Sequence, residues 1–145
     1  WDFNVKEQVF RCHMSNIMAA IGVAQIDRIE EFKNKRQKIV KTYIEKLKDI
    51  DDITFLDFNF NEILPHIFVI KAKKRDELRE YLVSNNIECG VHYKPNHMLS
   101  KYKTRYPLKV TEKTYKQILT LPCHFDLTEV EYNFVIAKIM DFYIG

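Results

Sequence analysis

The sequence predicts an α+β domain in which a long leading helix precedes a small sheet covered by helices. Three features predict this class: a helical pattern over residues 15–49, a β-branched and aromatic run after Pro65, and a capping box at Thr128. The chain has 145 residues, of which 46% are apolar and 30% charged. It is therefore long enough to bury one core, and it has the composition of a soluble globular protein.

Charge and cysteine content argue against several function classes. The formal net charge of +3 is too small to indicate nucleic-acid binding, and no apolar run reaches the roughly 18 residues of a membrane span. Cys12, Cys89 and Cys123 form no CxxC pair, which favours free thiols in a reducing compartment. The start at Trp1 shows no signal-peptide pattern and no methionine. We therefore expect a cytoplasmic protein and a chain that is a piece of a longer one.

The leading helix is the longest predicted element. Ser15 is a good N-cap residue, and residues 17–26 are apolar or small on nearly every side, which is typical of a segment buried all round. From Ile29 the apolar positions thin to a stripe close to a 3.6-residue period. Such a helix usually passes from one body of protein into another. We expect that first body to be absent, and residues 1–14 to be an extended arm from it, with a frayed terminus as the alternative.

Shorter elements fill the rest of the chain. They are predicted as a strand within 53–60, a strand at 66–71, a helix at 76–85, a strand at 87–93, a helix at 111–119 and a last helix after Thr128. Thr128 and Glu131 form the capping box of that last helix. The basic clusters at 71–75 and 101–109 lack a recognition module, so we expect solvated surface, with nucleic-acid binding as a remaining alternative.

Cys89, His92, Tyr93 and His97 form the densest group of polar side chains, around a strand end and a proline loop. They are open to three interpretations: zinc ligands, a substrate rim of hydrogen-bond donors, or a core histidine beside a partly exposed tyrosine. The spacing matches no standard zinc finger, and we expect no metal site.

Arg11 and His13 precede the leading helix, where a cation and the free N–H groups of the first turn could together bind phosphate. The alternative is a surface arginine and a packed histidine. No nucleophile elbow or catalytic cysteine context is present in the sequence, so no catalytic residue is assigned to this chain.

Three motifs carry a resemblance to a known family. Residues 11–26 read RCHMSNIMAAIGVAQI, residues 89–97 read CGVHYKPNH, and residues 119–129 begin with LTLP and end with LTE. The first resembles the helix opening of the DegT/DnrJ/EryC1/StrS aminotransferases, the second their G-[IV]-H-[YF]-x-P loop, and the third their L-S-L-P…L-T-E ending. The motifs occur in the family's order and cover the whole chain.

The resemblance implies the C-terminal small domain, residues 15–145 with the linking helix 15–49, of a fold-type I enzyme that uses pyridoxal 5'-phosphate (PLP). Arg11 would reach the PLP phosphate of the partner subunit in a homodimer. His13, His92, Tyr93 and His97 would contact a nucleotide-linked keto-sugar. The family's Schiff-base lysine belongs to a large N-terminal domain, so this chain alone should be inactive and hold no PLP.

The function that the resemblance implies is amination of a keto-deoxysugar for surface polysaccharide or lipopolysaccharide synthesis, with an amino donor such as glutamate. Nucleic acid and membrane are not expected as partners. The alternative is a catalytically inactive, truncated remnant that acts as an interaction module, with its apolar helix around residues 18–23 covered by a partner.

Overall fold

The computed structural model describes residues 13–145, so the predicted N-terminal arm lies almost wholly outside the described residues. The elements in chain order are α1 (Asn16–Asp27), α2 (Ile29–Leu47), β1 (Ile53–Phe55), β2 (Phe68–Ala72), α3 (Arg75–Ser84), 3-10 turns at Asn96–Met98 and Ser100–Tyr102, α4 (Lys109–Tyr115), β3 (Ile118–Leu121) and α5 (Glu129–Ile144). This mixture of helices with a small sheet confirms the α+β prediction. The chain divides into two compact units, Trp1–Glu31 and Phe32–Gly145, and the predicted division into arm and small domain stays a prediction.

The predicted single helix over residues 15–49 is two helices. Ser15 caps α1 as expected, because its hydroxyl accepts from the Met18 N–H at 3.2 Å. The helix ends at Arg28, whose φ of −103° and ψ of 5° lie outside the helical region. The Arg28 N–H donates to Gln25 O at 3.2 Å, a tightened last turn of the kind that closes helices.

The apolar side chains of α1 are exposed in this chain, contrary to the burial all round that the sequence pattern predicted. None of the α1 residues is buried, and Ile17 and Ile26 are 75% and 69% exposed. Helix α2 follows the prediction more closely. Ile39, Val40 and Tyr43 on its inner face are buried, as the stripe requires.

The sheet has the order β1–β2–β3, and both pairings are antiparallel. β2 pairs Ile70 with Phe55 on one side and with Leu119 on the other. Phe68, Ile70 and Ala72 are buried, so β2 alternates as a strand with one face on the core should. The strands predicted within 53–60 and at 66–71 are therefore confirmed, with small shifts at their ends.

The predicted strand at 87–93 is wrong, and so is the C-terminal half of the predicted helix 111–119. Within the described residues, the segment 87–93 contributes one isolated bridge, between Gly90 and Thr120. The bridge cannot extend toward Pro122 because proline has no N–H to donate. The third strand is instead β3, which follows directly on the end of α4.

Interactions with α3 and β2 end α4 at Tyr115. The Arg75 guanidinium donates through Nη1 to Tyr115 O and Ile118 O, at 3.1 and 2.9 Å. The Ala72 N–H donates to Gln117 O at 2.8 Å. These carbonyls therefore bond to β2 and α3, and not to a further turn of helix.

The two remaining helices match their predictions. Asn85 is the C-cap of α3, and the Thr128–Glu131 capping box is complete in both directions. Val135 and Ile139 of α5 are buried, whereas Val130 on the same helix is exposed. In the second unit, α2, α3 and α5 contribute to one buried cluster with all three strands. In residues 13–145 no helix has the length and apolarity to cross a membrane.

Candidate functional site

The candidate site is a cavity of about 690 Å³ in the second unit. Five parts of the second unit line it: α2 at Arg36, the residues just before β2, the extended segment 86–92, β3 with the loop that follows it, and the first turns of α5. Its polar lining includes Arg36, His66, His92, Thr120, His124 and Glu131. Apolar side chains such as Phe134 and Val135 complete the lining, so the cavity combines apolar surface with a few polar groups, as small-molecule sites do.

His92 is the predicted site residue that lies at this cavity. Its Nδ1 is 2.9 Å from Thr120 Oγ1, and Thr120 is buried in β3. The backbone beside it is paired in both directions: the Gly90 N–H donates to Thr120 O at 3.2 Å, and the Thr120 N–H donates to Gly90 O at 2.7 Å. The imidazole is therefore held by a strand residue, although it belongs to a loop.

Tyr93 and His97, the neighbours predicted to share the substrate rim, do not line the cavity. Tyr93 is 72% exposed, and its ring lies 4.9 Å from that of His92 in an edge-on arrangement. The His97 side chain is only 13% exposed, and its Nε2 lies 3.2 Å from Glu112 Oε1 of α4. The structure thus brings Tyr93 to His92 and holds His97 against α4. Their substrate role stays a prediction.

Two predicted site residues, Arg11 and His13, precede α1. His13 is exposed and belongs to the first unit, whereas His92, Tyr93 and His97 belong to the second. Arg11 lies outside the described residues, and its predicted role at the PLP phosphate stays a prediction.

Two further histidines at the cavity, His66 and His124, were missed by the sequence reasoning. Each comes one or two residues after a proline, Pro65 and Pro122. His66 lies just before β2, and His124 lies just after β3. That position was the available signal, because loops at the ends of strands carry many functional side chains. The separation of the two histidines along the sequence hid their common location.

Burial raises the pKa values of the two cysteines at the cavity. Burial raises the pKa of the Cys123 thiol to about 11, and burial also raises the pKa of Cys89. Both are free and remain protonated near neutral pH. Among residues 13–145 no three His, Cys, Asp or Glu side chains are grouped to hold a metal ion, so the zinc interpretation gains no support.

Comparison with known proteins first defines the class: solved structures that share this fold are sugar aminotransferases, and this chain spans about two fifths of each. The chain belongs to the DegT/DnrJ/EryC1/StrS aminotransferase family, whose sequence profile matches residues 3–140. The resemblance carried by the three motifs is thereby confirmed.

Three individual proteins illustrate the similarity. The UDP-4-amino-4,6-dideoxy-N-acetyl-beta-L-altrosamine transaminase of Campylobacter jejuni is 27% identical over 146 residues, 93% of this chain and 38% of that protein. DesV of S. venezuelae shares the fold with a TM-score of 0.88 at 18% identity, over 100% of this chain and 41% of its own. Streptococcus pneumoniae Spr1654, in its PLP-form, has a TM-score of 0.81 at 26% identity, over 95% of this chain and 38% of its own.

The cavity does not fit PLP. Its lining in the described chain contains no lysine to form a Schiff base. Arg36, the arginine of the lining, already donates through Nη1 to Pro65 O and His66 O, at 3.1 and 2.9 Å.

Proposed function

We propose that this chain is the C-terminal small domain of a PLP-dependent, fold-type I aminotransferase that acts on a nucleotide-linked keto-deoxysugar. One observation carries the proposal: the family profile matches residues 3–140, while the chain spans only about two fifths of the relatives it matches. The Campylobacter jejuni relative, a transaminase of a UDP-sugar, supports the nucleotide-sugar class. The complete enzyme would work in the cytoplasm, in the synthesis of surface polysaccharide or lipopolysaccharide.

In this proposal the domain shapes the sugar pocket and the dimer interface. The cavity supports the first role, because His92 and Thr120 place polar groups in a largely apolar hollow. The exposed apolar side chains of α1, among them Ile17, Met18 and Ile21, support the second, since a contiguous apolar face on a helix needs cover. The residues proposed to face the nucleotide-sugar are His13, His92, Tyr93 and His97.

PLP, when bound in the complete enzyme, supplies the electron sink for amino transfer from a donor such as glutamate. This chain would contribute Arg11 from the partner subunit to the cofactor's phosphate, where a guanidinium can donate two parallel hydrogen bonds. Arg11→Ala in the complete enzyme should weaken PLP retention on dialysis, and Arg79→Ala, on the exposed side of α3, should not. Equal retention in both variants would refute the assignment of Arg11.

The proposed function is tested on the protein as its own source makes it. Its intact mass and absorption spectrum are measured first. A chain much heavier than 17.4 kDa that carries PLP and transfers an amino group from glutamate to a UDP- or dTDP-linked 4-keto-6-deoxysugar would support the proposal. A native chain of 17.4 kDa without a chromophore would overturn it.

An interaction module without catalysis is the second candidate, and the exposure of α1 favours it specifically. In that case the 145-residue chain should associate through α1. Sedimentation velocity would show a dimer or larger species that Ile21→Glu converts to monomer. Val83→Glu, at an exposed position of α3, should leave the species unchanged. A monomer at high concentration would count against this function.

A further inference from the structure

The hydroxyl of Thr120 has one hydrogen-bond partner in the described chain, the Nδ1 atom of His92. Thr120 is 8% exposed as a whole residue, and it lines the cavity. A buried donor left without an acceptor is unfavourable. A hydroxyl that donates to Nδ1 of His92 has its proton paired within the protein, whereas one that accepts from Nδ1 leaves its own proton to the cavity.

An imidazole that accepts at Nδ1 carries its proton at Nε2 when it is neutral. In the described chain no group bonds to His92 Nε2, and no buried side-chain nitrogen or oxygen lacks a partner. Nε2 is therefore accessible, and His92 lines the cavity. In that tautomer the N–H at this atom is a donor at the cavity wall.

Two further contacts hold the imidazole in this position. Gly90 and Thr120 are bridge partners, which fixes the distance between the loop and β3. The imidazole also packs onto Gly90, where a Cβ would meet His92 Cε1 at 2.7 Å. The ring is thus located by packing and oriented by one hydroxyl.

We propose that Thr120 is a positioning residue that holds His92 in its Nε2–H tautomer, so that His92 donates to an acceptor oxygen of the ligand. The ligand part of this inference rests on the proposed function, and the acceptor is then an oxygen of the nucleotide-sugar. The oxygen belongs either to the sugar or to the diphosphate, and both accept from an N–H in the same way.

The tautomer is measured by long-range proton–nitrogen NMR of the isotopically labelled 145-residue chain above the titration of its histidines. The wild type should show the Nε2–H form. Thr120→Val keeps the branched shape without the hydroxyl, and the ratio of the Nε2–H to the Nδ1–H form should fall roughly fivefold, which corresponds to about 1 kcal/mol.

Two variants control that measurement. Thr120→Ser retains a hydroxyl and should restore the wild-type ratio. Thr42→Val removes a hydroxyl that donates to Lys38 O on α2 and should leave the ratio unchanged. An Nδ1–H form in the wild type, or a ratio unaffected by Thr120→Val, would overturn the inference even if the chain is part of an aminotransferase.

The ligand is tested in the complete enzyme by steady-state transamination with the keto-sugar nucleotide and by competitive inhibition with UDP. Thr120→Val should raise KM at constant kcat by the factor by which the Nε2–H fraction falls in the tautomer measurement, because only that tautomer donates to the acceptor. An unchanged inhibition constant for UDP places the acceptor on the sugar, and a parallel rise places it on the diphosphate.

The two levels of the inference fail separately. If KM in an active enzyme does not follow the measured fall in the Nε2–H fraction, His92 does not donate to the substrate and the ligand part is refuted. If the complete protein does not transaminate at all, the proposed function fails, whereas the tautomer result still decides the role of Thr120.

Discussion

The imidazole of His92 occupies the space that a side chain on Gly90 would need. A Cβ on Gly90 would lie 2.7 Å from His92 Cε1, closer than such atoms approach in proteins. The φ angle of Gly90 is not positive, so this glycine is required for space and not for a left-handed conformation. The glycine of the CGVH motif thereby explains how the histidine two residues later reaches Thr120.

Gly90→Ala should push the His92 ring away from Thr120. We expect a loss of about 1–2 kcal/mol in the free energy of unfolding, from local crowding and the broken hydrogen bond, measured by urea denaturation. Gly22→Ala is the matched control, because a Cβ there meets nothing within 4 Å and the site is helical. A Gly90→Ala protein with unchanged stability and His92 signals would contradict this account.

Arg75→Met should destabilise the second unit. Arg75 is 7% exposed, and its Nη1 donates to Tyr115 O and Ile118 O, so methionine leaves two carbonyls without their donor. The expected loss in the free energy of unfolding is roughly 2–4 kcal/mol by urea denaturation. Arg79→Met, at an exposed position of the same helix, should change it by less than about 0.5 kcal/mol. Equal effects of the two substitutions would refute the prediction.

Glu131→Gln should change how stability depends on pH. Hydrogen bonds from the Thr128 hydroxyl and N–H, both at 2.7 Å, lower the pKa of Glu131 from its ordinary 4.5. A lowered folded-state pKa stabilises the fold above pH 4.5, and that contribution is lost as the pH falls through the folded-state value.

The difference in thermal midpoint between wild type and Glu131→Gln should therefore be present at pH 7 and shrink below about pH 4.5. In a Thr128→Ala background the pH dependence should be reduced, because the largest cause of the shift is removed. A difference that stays constant from pH 3 to pH 7 would argue against this coupling between Thr128 and Glu131.

The two described thiols should differ in reactivity. At pH 8 a thiol with a pKa of about 11, such as Cys123, is ionised to about one part in a thousand, and Cys123 is also buried. In a Cys12→Ser background, iodoacetamide should label Cys89, which is only half-buried, at least roughly tenfold faster than Cys123.

The labelling rate of Cys123 should rise with pH toward 11, and both thiols should react alike in urea. Mass spectrometry of tryptic peptides separates the two sites. Equal labelling rates of Cys89 and Cys123 in the folded chain would show that the segment just after β3 opens readily and would contradict the prediction.

Local signals in the sequence were sufficient for several elements. Ser15, Asn85 and the Thr128–Glu131 pair mark helix ends because their side chains or backbones satisfy groups within a few residues. The alternating burial of β2 could be predicted from the sequence for the same reason, since a period of two residues is a local property. The family, too, was recognisable from three short motifs.

Only the tertiary structure decided which segment completes the sheet and what surrounds His92. The segments 87–93 and 118–121 are both apolar and short, and β3 pairs with β2 because Arg75 and Ala72 bind the carbonyls at its start. The Thr120–His92 bond joins residues 28 positions apart, so no local pattern could reveal it. By itself the sequence determined the caps, the class and the family. The partners of the site residues depend on long-range pairing, which no single segment encodes.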